Sequence, residues 1–161
     1  MKKGNLILMI FALGLVISLK AESYPPDGWR VSVPLITAAE VQRFSDVTAK
    51  GNYVHTIWAD NREGAYRLYY KKSTDAGFTW SNETPISILG EVVRGEPRNT
   101  CIAMGDYLYV VYAIDDEVLN TYALIFCRST DQGETWEGYQ AIDIQLPTLP
   151  QPSMTVAEDS I

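Results

Sequence analysis

Residues 73–80 read STDAGFTW and residues 129–136 read STDQGETW, so one frame, Ser-Thr-Asp-x-Gly-x-Thr-Trp, is written twice at an offset of 56 positions. A frame kept at such a spacing marks a repeated supersecondary unit. Each member of the octet has a use in a tight corner. Asp75 and Asp131 can accept backbone N–H bonds across a turn, and Gly77 and Gly133 can take the positive φ that other residues resist. Thr79 and Thr135 offer hydroxyls to the same turn. Trp80 and Trp136 can fold back to plug the gap beside their unit. Ser73 and Ser129 open the two frames. A D-x-G sequence also occurs in calcium loops, but one carboxylate per octet is fewer than such loops supply. The octets therefore read as architecture, with no metal implied.

Working outward, the same order of strands precedes each octet. NYVHTIWAD (52–60) and YRLYYKK (66–72) lead to the first; DYLYVVYAID (106–115) and TYALIFCR (121–128) lead to the second. A further run stands before each pair, FSDVTAKG (44–51) and TCIAMGD (100–106), and one more follows each octet, TPISIL (84–89) and GYQAID (138–143). These runs are rich in Tyr, Val, Ile and Trp and are bounded by Gly, Asp and Asn, the pattern of short strands. No stretch with helical periodicity follows residue 21. The reading is all-β, four antiparallel strands per unit, which is the signature of a β-propeller blade. The first full blade spans 43–89 and the second 98–143.

The remainder of the chain is bounded by composition. Lys2 and Lys3 precede the apolar run Leu6 to Leu19, which ends at Lys20-Ala21, the pattern of a secretory signal peptide over residues 1–21. Its 14 apolar residues fall short of the roughly 20 that a spanning helix needs, so no stable membrane anchor is expected. The expected location is secreted, periplasmic or cell-surface. Loss of Lys2, Lys3 and Lys20 with that leader takes the formal charge from −7 to −10, which argues against nucleic acid as a partner. Cys101 and Cys127 fall on non-neighbouring strands, about twice the 4.7–4.9 Å strand spacing apart, and so read as two buried free thiols. Asn82-Glu83-Thr84 is a glycosylation sequon. His55, the only histidine, lies inside a strand and reads as a packed core residue. Neither a Ser-His-Asp triad nor a histidine metal site follows from it, and no cofactor is implied.

The frame S-x-D-x-G-x-T-W, repeated at this spacing, resembles the Asp-box, or bacterial neuraminidase repeat, of the sialidase superfamily. The resemblance covers residues from about 43 to 145. It implies a propeller, commonly six-bladed, with the Asp-boxes at the rim on the face away from the active site. The 140 residues after the leader correspond to about two and a half blades. Within that reading, residues 28–36 resemble a ring-closing strand, and residues 152–161 the start of a third blade. The opposite face collects the strand 2–3 loops and the connection between blades, ADNREGA (59–65), IDDEVLN (114–120) and LGEVVRGEPRN (89–99). A sialidase grips its substrate carboxylate with arginines. Arg43 stands in a place similar to the family's first arginine, without the Ile-Pro that follows it there. Asp60-Asn61-Arg62 resembles the D-x-R segment. The resemblance thus implies Arg43, Arg62 and Arg98 as carboxylate-binding candidates. The acid/base Asp expected after Arg62 has no counterpart, which leaves Asp60 and Glu63 as the acids at that place. The resemblance implies a secreted propeller that binds or processes extracellular glycan, sialylated or not, in a non-catalytic or divergent form. Two alternatives stand beside it: a retaining exo-sialidase whose Tyr, Glu and further arginines lie beyond residue 161, and a structural or adhesion module.

Overall fold

The computed structural model describes residues 34–37, 42–88, 100–116 and 119–157. The leader at 1–21, most of segment 28–36, the connection 89–99 with Arg98, and residues 158–161 lie outside the described residues. The chain divides into two units, 1–37 and 38–161. Residues 34–37 of the first carry no strand. All of the regular structure described below belongs to the second.

Eight strands follow one another: β1 (Gln42–Lys50), β2 (Tyr53–Glu63), β3 (Ala65–Ser73), β4 (Thr84–Pro85), β5 (Thr100–Met104), β6 (Leu108–Asp116), β7 (Thr121–Ser129) and β8 (Glu137–Leu146). They form two four-stranded antiparallel sheets, β1-β2-β3-β4 and β5-β6-β7-β8, each a simple meander in sequence order. The protein is all-β over its described residues, as the run of β-branched and aromatic segments predicts.

Two strands differ from their sequence reading. The run TPISIL contributes only Thr84–Pro85 to the ladder. Pro85 has no N–H to donate, and the pairing then passes to mixed partners: Ile86 N–H donates to the Leu68 carbonyl at 2.8 Å, and Leu68 N–H donates to Ser87 Oγ at 3.1 Å. β8 is longer than GYQAID and runs on to Leu146, with register shifts along its pairing with β7. Residues 152–157 carry no strand pairing.

One hydrophobic core joins the two sheets. Ile57, Ala59, Leu68 and Tyr70 of the first sheet meet Ile102, Leu108, Val110, Tyr112, Ile125 and Cys127 of the second, with Ile86 alongside. The period-2 alternation of side chains puts these residues on facing surfaces. Each large one contributes about 1.5–3 kcal/mol by leaving water. The first strands of the two sheets are neighbours, and Asp46 Oδ2 accepts the Ile102 N–H at 2.9 Å. Tyr139 of β8 donates to the Ile86 carbonyl at 2.6 Å, a second tie between the sheets.

Cys101 and Cys127 are free and buried. They pair with Val111 and Val110, adjacent residues of β6 whose side chains point to opposite faces, so the two thiols lie on opposite sides of the sheet with a strand between them. Burial pushes the Cys101 thiol up to about 11.

Candidate functional site

The two octets fold into the same corner. In the first, Ser73 Oγ accepts the N–H groups of Gly77 (2.8 Å) and Asp75 (3.2 Å) and donates to Asp75 Oδ1 (2.7 Å). The Asp75 carboxylate then receives the Thr79 N–H at 2.7 Å and the Thr79 hydroxyl at 2.6 Å. In the second, Ser129 Oγ accepts the Gly133 N–H at 2.7 Å and donates to Asp131 Oδ1 at 2.8 Å, and Asp131 receives the Thr135 N–H at 2.9 Å and its hydroxyl. The threonine hydroxyl, followed by the threonine N–H and the serine, holds both aspartates down at about 2. The two aspartates are thus taken up by the serine and threonine of their own frames, and neither Asp75 nor Asp131 is left for outside chemistry.

The frame also hides a feature its shared letters do not show. The variable residue before each glycine takes positive φ too, Ala76 at 58° and Gln132 at 59°, followed by Gly77 at 88° and Gly133 at 83°. Trp80 and Trp136 fold back as expected but end half-buried. Trp80 donates to the Gly77 carbonyl at 3.1 Å, whereas Trp136 packs edge-on against Tyr70 of the first sheet at 5.1 Å.

At the other end of the first sheet, the β2–β3 hairpin gathers the charged candidates. Asp60 is fully buried. Its carboxylate accepts the Arg62 guanidinium, the Arg62 N–H at 2.8 Å and the Trp58 indole at 3.3 Å. Burial alone would raise the Asp60 carboxyl, but these bonds outweigh it and hold it below the usual carboxylate range. The second arm of Arg62 bonds Glu83, and the guanidinium lies 4.5 Å from the Tyr69 ring centroid. Glu63 accepts from Arg67 at 2.9 Å and from the Tyr69 hydroxyl at 2.9 Å; the Arg67 bond is the main cause of its lowered carboxyl. Both acids are therefore ionised at neutral pH, so neither holds the proton that a general acid must donate. Burial, with Glu63 beside it, raises the Tyr69 hydroxyl.

Arg43 and Arg62 do not converge. Arg43 pairs with Ala59 and reaches the Tyr66 ring at 5.9 Å, while Arg62 lies over Tyr69. Tyr66 and Tyr69 are three residues apart on one strand and so point to opposite faces of the sheet. Arg62 stands two residues from Asp60 and four from Trp58, the partner of Tyr69, so strand alternation puts it on the Tyr69 side, and the register shift between Asp60 and Glu63 brings Glu63 to that side as well. Asp115, expected in a loop, lies within β6, with Asp116 as its last residue.

His55 is packed and fully buried, with Nδ1 2.7 Å from the Tyr70 hydroxyl; burial first, then the charge of Lys72, lowers it to about 4. Of the tyrosines, Tyr69, Tyr70 and Tyr112 fill the core, whereas Tyr53 and Tyr107 are 40% and 41% exposed. Tyr53 borders an open cleft of about 590 Å³ at the corner end of the sheets, lined also by Lys50, Asn52, Met104, Asp106 and Gln132. Among the described residues no group of three or more His, Cys, Asp or Glu is placed to hold a metal ion, and no helix is long and apolar enough to cross a membrane.

Comparison of the chain with protein-family models and with curated proteins finds no match.

Proposed function

We propose that this chain is part of a secreted Asp-box propeller of sialidase type that binds extracellular glycan without cleaving it. The twin corners carry the reading: two meanders of equal plan, each closed by the same serine–aspartate–threonine network, are what consecutive blades require. Their first strands lie side by side, as innermost strands around an axis do. The hairpin chemistry supports the non-catalytic part. Arg62 has a carboxylate on each arm, and Asp60 and Glu63 are ionised, so the hairpin lacks both an open carboxylate grip and an acid.

The glycan surface in this reading is the cleft beside Tyr53, where an exposed ring can take the face of a sugar and Lys50, Asn52, Asp106 and Gln132 surround it with donors and acceptors. A neutral oligosaccharide suits that mixed lining better than an anionic one. Calorimetric titration with neutral and sialylated oligosaccharides tests the proposal. Binding of the neutral sugar, lost with Tyr53→Ala and kept with Arg43→Ala, is the expected result. Preferential binding of the sialylated sugar, weakened by Arg43→Ala, would instead favour the arginine face. Hydrolysis of either sugar would overturn the non-catalytic reading.

A further inference from the structure

At the corner end the two sheets meet in a joint built around a buried histidine. The Tyr70 hydroxyl of β3 lies 3.3 Å from the Gln132 carbonyl of the second corner, and Lys72 donates to the same carbonyl at 2.9 Å and to Glu134 at 2.6 Å. Trp136 closes against the Tyr70 ring. The approach is so close that a Cβ built on Gly133 would overlap the Tyr70 hydroxyl. Tyr70 is thus clamped on the side of the second sheet.

His55 stands beside the same hydroxyl, with Nδ1 at 2.7 Å. Its ring stacks between Tyr70, with centroids 6.0 Å apart, and Tyr53, at 6.3 Å. Tyr53 is the surface layer of that stack, exposed and bordering the open cleft. Gln132 lines the same cleft, so both ends of the row Tyr53–His55–Tyr70–Gln132 reach it. The cleft walls are the β1–β2 turn, the β5–β6 turn and the second corner, so the cleft belongs to the junction of two consecutive sheets.

The row suits a neutral imidazole. Either the Tyr70 hydroxyl donates to Nδ1, or it accepts the Nδ1 proton and donates to the Gln132 carbonyl. A second proton fills both ring nitrogens. Nδ1–H then donates to Tyr70, whereas Nε2 is buried with no hydrogen-bond partner among the described residues. The surrounding charges do not compensate. Lys72 stands directly opposite His55 on β3, and on β1 Lys50 and Asp46 share its face. The Asp46 carboxylate accepts the N–H groups of Val47 and Ile102, Glu134 is held by Lys72, and Asp131 by Ser129 and Thr135. Asp106 lines the cleft, and β7 brings the free thiol of Cys127 to the core. Desolvation, with Lys72 next, accordingly lowers the His55 pKa to about 4. A charged His55 needs water at Nε2, and with Tyr70 clamped the way to water leads past Tyr53.

We propose that His55 is a proton-operated latch on the cleft. Neutral, it holds Tyr53 and, through Tyr70, the Gln132 carbonyl in the closed arrangement; protonation turns the imidazole toward solvent, displaces Tyr53 and releases Gln132. The latch belongs to the cleft itself and operates whatever ligand fills it. Opening returns the imidazole to water and to its ordinary proton affinity. A pKa of about 4 closed against 6.5 open raises the open-to-closed ratio by on the order of 300-fold between neutral and acid solution.

His55 is the only histidine, so one imidazole Cε1–H resonance reports its protonation. The full chain is titrated from pH 7 to pH 4 while NMR follows that resonance, the Tyr53 ring and the backbone amides of Gln132 and Gly133. The expected result is one step with a shared midpoint, the core amides of Ile57, Leu68 and Val110 staying in place. His55→Gln should abolish the step at Tyr53 and Gln132. Glu134→Gln, which removes the carboxylate on Lys72, should keep it. Tyr70→Phe retains the histidine but cuts the link, so the imidazole and Tyr53 should still move together while Gln132 no longer follows. A Tyr53 ring unmoved as the imidazole titrates, a midpoint at Tyr53 or Gln132 different from that of His55, or collapse of the core amides in the same step would each overturn the latch. So would a step that survives His55→Gln or disappears with Glu134→Gln, or a Gln132 amide that still follows in Tyr70→Phe.

Discussion

His55 is surrounded by groups that tolerate only its neutral form. Tyr53 and Tyr70 stack on either side of the ring, Tyr70 holds Nδ1, and Lys72 adds a positive charge nearby. Its pKa is lowered from 6.5 to about 4, so the unfolded chain binds the proton more tightly than the folded one. Stability should therefore be full above about pH 6.5 and fall as the pH drops toward 4, by on the order of 3 kcal/mol for this group. Urea midpoints measured from pH 7 to pH 4 should show the loss, and His55→Gln should flatten it. An unchanged slope in the variant would place the titration elsewhere. A second single-residue prediction concerns Ser129, which is fully buried and satisfies the Gly133 N–H. Ser129→Ala should cost about 1–3 kcal/mol in a urea melt, because that donor is left without a partner.

At the scale of elements, the two corners share one internal design but differ in what sits on them. An alanine at either glycine bears the strain of a φ above 80°, yet only at Gly133 does the new methyl meet the Tyr70 hydroxyl. Gly133→Ala should therefore destabilise by about 1–3 kcal/mol more than Gly77→Ala, the range for forcing an extra methyl into a packed contact. Equal losses would show that the joint yields without cost. The β2–β3 hairpin makes a different prediction. Arg62→Met removes the cation that compensates the buried Asp60, and should cost about 3–5 kcal/mol at neutral pH. Asp60→Asn in the same background should recover part of that loss. If Arg62→Met melts like the unsubstituted chain, the clamp is not structural.

For the molecule as a whole, acid acts in two windows. Protonation of His55 weakens the fold between about pH 6.5 and 4, and Asp75 and Asp131 extend the loss below it. Their folded values of about 2 lie below the ordinary 3.8, so the stability they add is present above about pH 4 and disappears as the pH falls toward 2. A melt series from pH 7 to pH 2 should show both steps. Asp131→Asn should reduce the lower step and leave the upper one in place.

Much of this architecture is legible in the residues because its determinants are local. The octet is closed by bonds between residues two and four apart, so eight letters are enough to specify a corner, and its recurrence after 56 positions specifies two sheets. Strand alternation likewise identifies His55, Ile57, Leu68 and Tyr112 as interior residues. Three features depended on partners distant in the chain. The register shift between Asp60 and Glu63 turns Glu63 to the face of Arg67 and Tyr69, where its carboxylate accepts from both. Ser87 and Pro85 shorten β4 by replacing ladder bonds with a side-chain bond to Leu68, a choice set by the neighbouring strand. Gly133 serves its own turn in the sequence, but the Tyr70 hydroxyl, which faces it from another sheet, comes from a residue 63 positions away. The sequence by itself therefore determined the corners, the strands and the core, whose hydrogen bonds and periodicities close within a few residues. Only the tertiary structure decided which charges meet and how one sheet seats on the next, because facing and register are properties of pairs of strands.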